Sequence, residues 1–214
     1  MSEQTLREEI VSVAQAIDKA GFCPSKSGNV SARFRDGLLI TPSGLPYAQT
    51  RPEDLIYVAL DGTVLSGSRK PSSEWPFHTE IYKARPDAQA IVHTHSPRAT
   101  ALSCARRGIP AFHYMIALCG GDDVRCADYA TFGSPELAAN AVKALEGRKA
   151  VLLANHGVIA LGATLAGAHT IVAEVENLAG QYLDLLASGL DPVILDAAEM
   201  ERVSAKFAGY GKVG

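Results

Sequence analysis

Nowhere in the 214 residues do apolar side chains run on for the ~20 positions that span a bilayer, so a membrane-crossing helix is not expected. Charge of one sign is lacking too. Twenty basic residues face 23 acidic ones, a net −3, without the basic excess that marks a nucleic-acid or polyanion partner. Cysteine is sparse: Cys23, Cys104, Cys119 and Cys126 form no Cys-x-x-Cys pair. A disulfide scaffold does not suit a chain of this size, and a reducing cytoplasm fits better. No Walker loop occurs, so a nucleotide is not favoured. Repeats, linkers and low-complexity tracts are missing. The first ten residues are polar and acidic, unlike a signal peptide.

What is present is a regular alternation of elements. Leu6, Ile10, Val13 and Ile17 share one face of a helix that Gly21 stops. Val30–Phe34 and Leu38–Thr41 flank Arg35-Asp36-Gly37, and Leu55–Leu60 and Thr63–Leu65 flank Asp61-Gly62, two hairpin signatures. Ser72 and Ser73 read as the cap of a helix to about Arg85, with Glu74 in its first turn. A strand at 90–95 and a helix over 97–107 follow. Residues 108–133 read as irregular. A helix opens at Ser134-Pro135-Glu136. Strands at 150–154 and 158–161, a long helix over 164–188 and a last helix over 192–207 complete the chain. Hairpins mixed with helices predict one α/β domain with a mixed sheet covered by helices.

Two of those strands end in histidine. Ala90-Ile91-Val92-His93-Thr94-His95 is a buried-strand pattern whose two imidazoles, two residues apart, point to one face. Ala150–Ala154 leads into Asn155-His156-Gly157, where the glycine permits a tight turn. A lone strand-end histidine is more often hydrogen-bonded than a ligand. Three in matched context suggest a three-imidazole metal site with a position left open, as catalytic zinc is held. His78 and His169 fall in helical patterns and read as structural or surface residues. His113 is ambiguous.

Ser27-Gly28-Asn29 precedes a strand, Thr41-Pro42-Ser43-Gly44 follows one, and Ser72-Ser73 sits at a helix N-terminus. Each offers hydroxyls and free N–H groups, a chemistry suited to phosphate. Taken singly, each is an ordinary turn or cap. Glu74 beside them reads either as a helix-dipole residue or as a metal ligand and proton carrier.

The motifs Ser-Gly-Asn-Val-Ser (27–31), Ile-Thr-Pro-Ser-Gly (40–44), Pro-Ser-Ser-Glu (71–74), His-Thr-His (93–95) and Asn-His-Gly (155–157) occur in order and properly spaced. Through them nearly the whole chain resembles the class II aldolase/adducin family. Segments 109–117, 129–133 and 206–211 look most like its fuculose-phosphate branch. The resemblance implies a single catalytic domain over 1–214, with a central mixed, largely antiparallel sheet covered by helices. It implies one zinc per subunit at His93, His95 and His156, with Glu74 as fourth ligand and later proton carrier; another divalent ion is the alternative. Gly28, Asn29, Ser43, Gly44, Ser72 and Ser73 match phosphate-binding positions. Tyr114 matches a tyrosine that reaches a neighbouring subunit's site, and Phe132 and Tyr210 match aldehyde-pocket residues. A homotetramer with interface active sites is implied, with a sugar phosphate as the small-molecule partner and neither nucleic acid nor membrane.

The implied reaction is reversible cleavage of a ketose 1-phosphate, with L-fuculose 1-phosphate expected, to dihydroxyacetone phosphate and an aldehyde such as L-lactaldehyde. The alternatives are 5-deoxyribulose or 5-(methylthio)ribulose 1-phosphate cleavage, or the family's pentulose-phosphate epimerase, dehydratase or 3-oxo-tetronate 4-phosphate decarboxylase chemistries. Adducin-like interaction modules lack the metal histidines, which are all present here. The lysines fall on polar faces or element ends, so a Schiff-base route is unsupported.

Overall fold

Consecutive apolar residues in the strands are explained by a sheet covered on both faces. The computed structural model describes residues 2–209. Among these, eight strands form one sheet: β1 (Asn29–Phe34), β2 (Gly37–Ile40), β3 (Ile56–Ala59), β4 (Val64–Ser66), β5 (Ala90–Thr94), β6 (Arg125–Ala127), β7 (Ala150–Leu153) and β8 (Gly157–Gly162). Their order is β4-β3-β2-β1-β5-β8-β7-β6. Every neighbouring pair is antiparallel except β6 and β7. The architecture is the mixed, helix-covered α/β sheet that the sequence predicts.

Strand periodicity divides the core. Ala90 and Val92 face a layer built on α1 (Glu3–Lys19) and α5 (Leu165–Ser188), with Ile10, Ile17, Val172 and Val175. Ile91 faces the other way, with Phe77 and Ile81 of α2 (Trp75–Ala84) and Leu137 and Ala141 of α4 (Pro135–Ala144). His93, two residues on, lies on that second side, with its ring edge against Phe77. Ser2, Ser134 and Thr164 accept backbone N–H bonds at the starts of α1, α4 and α5, as N-cap side chains do. No helix among the described residues is long and apolar enough to cross a membrane.

Several expectations are corrected. The helix after Ser72 starts at Trp75, so Glu74 is its N-cap residue rather than a first-turn residue, and neither serine caps it. Chain pairing is the reason: Pro71 bridges Pro42, and the Ser72 N–H donates to Thr41 O, which holds 71–72 in a bridge, with a turn over 73–74 before the helix. The stretch 108–133 is not wholly irregular. It contains a 3₁₀ segment (Tyr114–Cys119) and β6, whose three residues pair in parallel at the sheet edge. Helix α3 (Pro97–Cys104) ends before the positive φ of Arg106, and α6 (Ala197–Gly209) starts five residues later than expected.

Candidate metal centre

Register places the donors. Asn29 of β1 lies opposite His93 of β5, and Thr94 lies opposite Val158 of β8, one residue past Gly157. His93, His95 and His156 therefore converge where β5 ends and β8 begins, and Glu74 arrives from the start of α2. Their candidate ligand atoms all lie within 4.8 Å of one another. Glu74 Oε2 is 3.1 Å from His93 Nε2, and Oε1 is 3.1 Å from His156 Nε2. His93 Nε2 and His95 Nε2 face each other at 3.1 Å.

The tautomer of His93 follows from its other nitrogen. Nδ1 is 2.9 Å from Val158 O, a carbonyl that can only accept, so Nδ1 carries the hydrogen and Nε2 presents its lone pair inward. Glu74 Oε1 is buried without a hydrogen-bond partner. An orphaned carboxylate oxygen beside inward-facing imidazole nitrogens is a donor set that could hold a divalent cation. Burial pushes the Glu74 carboxyl up, but the adjoining His93 and His156 outweigh it and hold the group well below the usual carboxylate range. Burial, aided by the neighbouring histidines, pushes His95 down to about 3, which keeps it unprotonated at neutral pH, the form that can ligate a metal.

The turn that presents His156 is built differently from the expectation. Asn155, not Gly157, takes the left-handed conformation, at φ 55. Its side chain accepts from Arg106 Nε and donates to Cys104 O, at and just past the end of α3, and its N–H donates to Ser103 O. Gly157 is needed for closeness, since a Cβ there would sit 2.4 Å from Thr94 O. Gly28, at φ +83, likewise lets its loop pass the His93 carbonyl, which a Cβ would meet at 2.6 Å.

A cleft of about 300 Å³ opens beside the histidines. Gly28, Asn29, Ser43, Gly44, Ser72, Ser73, Glu74, His95, His156 and Phe132 all line it, so the three donor-rich segments do converge. Reciprocal bonds, Ser43 N–H to Lys70 O and Ser72 N–H to Thr41 O, lace two of them together. Those two amides are thereby committed. Asn29 is also largely committed: its Nδ2 donates to Glu74 Oε2 at 2.9 Å, and its Oδ1 meets His78 Nε2. One amide hydrogen remains for a ligand.

Lys26, Tyr129 and Asn155 also line the cleft, beyond the site residues that the sequence motifs suggest. Lys26 is the sole lysine or arginine among the lining residues and sits at φ 65. Its signal was its place two residues before Gly28. Tyr114 is not in this cleft. It is half exposed and stacks on Phe207 of α6, 6.2 Å between ring centroids. His113 is structural, its Nδ1 accepting from Met115 N–H, while His78 is buried and belongs to the network behind Glu74. Tyr210 lies outside the described residues.

Residues 8–183 match the family described as Class II Aldolase and Adducin N-terminal domain. The chain is 50% identical over 210 residues to the 5-methylthioribulose-1-phosphate/5-deoxyribulose-1-phosphate aldolase of Rhodospirillum rubrum, covering 98% of this chain and 94% of that protein. It is 43% identical to the L-fuculose phosphate aldolase of Escherichia coli K12, covering 99% and 98%. A solved L-fuculose 1-phosphate aldolase superposes with a TM-score of 0.92 at 41% identity, covering 97% of this chain and 98% of the other.

Proposed function

From the membership of this chain in the class II aldolase and adducin family, we infer that it is a zinc enzyme cleaving a ketose 1-phosphate reversibly to dihydroxyacetone phosphate and a short aldehyde. The coarser statement, a metal-dependent aldolase acting on sugar phosphates, follows from the family. The single observation carrying the rest is a cluster of three imidazoles and a carboxylate beside a serine- and glycine-lined cradle.

His93, His95, His156 and Glu74 would hold the ion. Zinc, when bound, supplies Lewis-acid stabilisation of the negative charge left as the carbon–carbon bond breaks. The protein does the remainder. Ser43, Gly44, Ser72 and Ser73 seat the phosphate, with the Lys26 ammonium offsetting its charge. Glu74, ionised in the free site, takes up the proton that the substrate hydroxyl loses as the carbon–carbon bond breaks and delivers it to the ene-diolate carbon of the three-carbon fragment. Phe132 and Tyr129 flank the aldehyde end, with Tyr210 assigned there from the sequence. Tyr114, turned away from its own cleft, serves a neighbouring subunit in a homotetramer. Residues 1–214 act as one catalytic domain, and four free cysteines suit the cytoplasm.

The relatives' substrates differ at the aldehyde. L-fuculose 1-phosphate yields a hydroxylated one; 5-deoxyribulose and 5-methylthioribulose 1-phosphates yield apolar ones. The aromatic cleft rim and the 50% identity favour the second pair for this chain. A panel of the three phosphates, assayed for dihydroxyacetone phosphate release, tests this: the 5-deoxy and 5-methylthio substrates should have the higher kcat/KM. Preference for L-fuculose 1-phosphate reverses the order, and no release from any of them ends the aldolase reading. Glu74→Gln tests the proton role. Zinc retained with solvent-proton exchange into dihydroxyacetone phosphate lost supports it; exchange retained refutes it.

A further inference from the structure

Behind Glu74 runs a buried chain of side chains that ligand binding does not require. Asn29 Nδ2 donates to Glu74 Oε2, Asn29 Oδ1 meets His78 Nε2, Ser31 Oγ lies 2.7 Å from His78 Nδ1, and Tyr82 Oη lies 2.9 Å from Ser31 Oγ. His78 and Ser31 are 0% exposed, and Tyr82 and Asn29 1%. Water is therefore no alternative partner, and the chain must satisfy itself.

Its hydrogen positions are fixed from one end. A carboxylate only accepts, so the amide nitrogen of Asn29 faces Glu74 and its oxygen faces His78. That oxygen also only accepts, so His78 carries its hydrogen on Nε2. Neutral His78 then accepts on Nδ1, Ser31 gives it its one hydroxyl hydrogen, and Tyr82 donates to Ser31. Burial keeps each group in that state. It pushes His78 down to about 3, and it pushes the Tyr82 hydroxyl well above its ordinary range. Every donor points toward Glu74.

We propose that His78 is a positioning residue of the aldolase reaction: its Nε2–H locks the Asn29 amide so that Asn29 holds Glu74 Oε2 and leaves Oε1 free to move the proton. Without that donor the amide loses its orientation, and the carboxylate is held by the histidines alone. The proposal rests on Glu74 as the proton carrier.

Two variants separate positioning from packing. A glutamine at 78 presents an N–H near the place of Nε2, whereas an asparagine reaches only the place of Nδ1. Removing a group that orients a metal-site carboxylate costs about 10–100-fold. His78→Asn should lower kcat, and proton exchange into dihydroxyacetone phosphate, by about that factor, with KM and zinc content near wild type. His78→Gln should restore most of the rate. In a Glu74→Gln background, His78→Asn should cost nothing further. In the metal-free protein, nitrogen NMR of the imidazoles should find His78 protonated at Nε2. Equal impairment of both variants, loss of rate that tracks loss of zinc, or protonation at Nδ1 overturns the proposal. Exchange intact in Glu74→Gln alone refutes the proton-carrier reading, and full exchange in His78→Asn while Glu74→Gln is inactive refutes only the positioning role.

Discussion

Gly157→Ala is the smallest perturbation that reaches the metal donors without altering any of them. A Cβ at 157 would lie 2.4 Å from Thr94 O and 3.1 Å from His95 Cδ2, where ordinary contact begins at 3.4 Å. Relief of the carbonyl clash requires a shift of about 1 Å (3.4 less 2.4) between the end of β5 and the start of β8. Those are the places from which His95 and His156 project. Metal–ligand distances tolerate about ±0.2 Å, so the shift exceeds what the donor set absorbs. The fold has more latitude. The ladder from Ala90↔Gly162 to Thr94↔Val158 remains, and overpacking of this kind costs typically about 1–3 kcal/mol. Zinc affinity should fall by at least about 10²-fold, since disturbing even the groups behind a ligand costs up to that much. Competition against a chelator reads the affinity, and thermal unfolding of the metal-free protein reads the fold. A Gly157→Ala protein that is folded and binds zinc with unchanged affinity would refute the argument that this close approach sets the donor geometry.

Gly180→Ala, inside α5 with only Arg98 Cγ at 3.6 Å from the added methyl, should raise stability by about 0.5–1 kcal/mol in urea unfolding. Glu176 accepts the Arg98 and Ala99 N–H groups at the start of α3, so Glu176→Ala should cost about 1–2 kcal/mol in the same assay. His78 is depressed to about 3 from an ordinary 6.5, so the unfolded chain binds the extra proton. Its stabilisation is present above about pH 6.5 and is lost as pH falls toward 3, by about 2 kcal/mol between pH 6.5 and 5; a metal-free urea series should lose less in His78→Gln. Light scattering at micromolar concentration should give four times the chain mass, and a fully active monomer would remove Tyr114 from the mechanism.

The sequence made the donor set readable because strand alternation and strand ends put His93, His95 and His156 in matching contexts. The cradle was readable as segments, but its hydrogen bonds were not. That Ser43 and Ser72 spend their N–H groups on Lys70 and Thr41 depends on a long-range bridge between two prolines. The same pairing overrode the capping signal of Ser72 and Ser73 and moved the start of α2 to Trp75. Strand β6 has three residues and takes its identity from its neighbour β7, so no local period marks it. The sequence places His78 in a helix, and the structure agrees. Its importance lies in partners 47 and 49 residues away, Ser31 and Asn29, which no helical spacing encodes.

The order of the sheet also bears on how the chain reaches its native state. His93 meets Val158 across 65 residues, and Asn29 meets Glu74 across 45. No short segment carries three metal donors, so an ion cannot nucleate folding as it does in small metal-templated modules. Loop closure must come first, and pairings this distant are slow to form. Zinc should accordingly leave the refolding rate unchanged and slow unfolding instead, so that the ion acts as a latch on a completed structure.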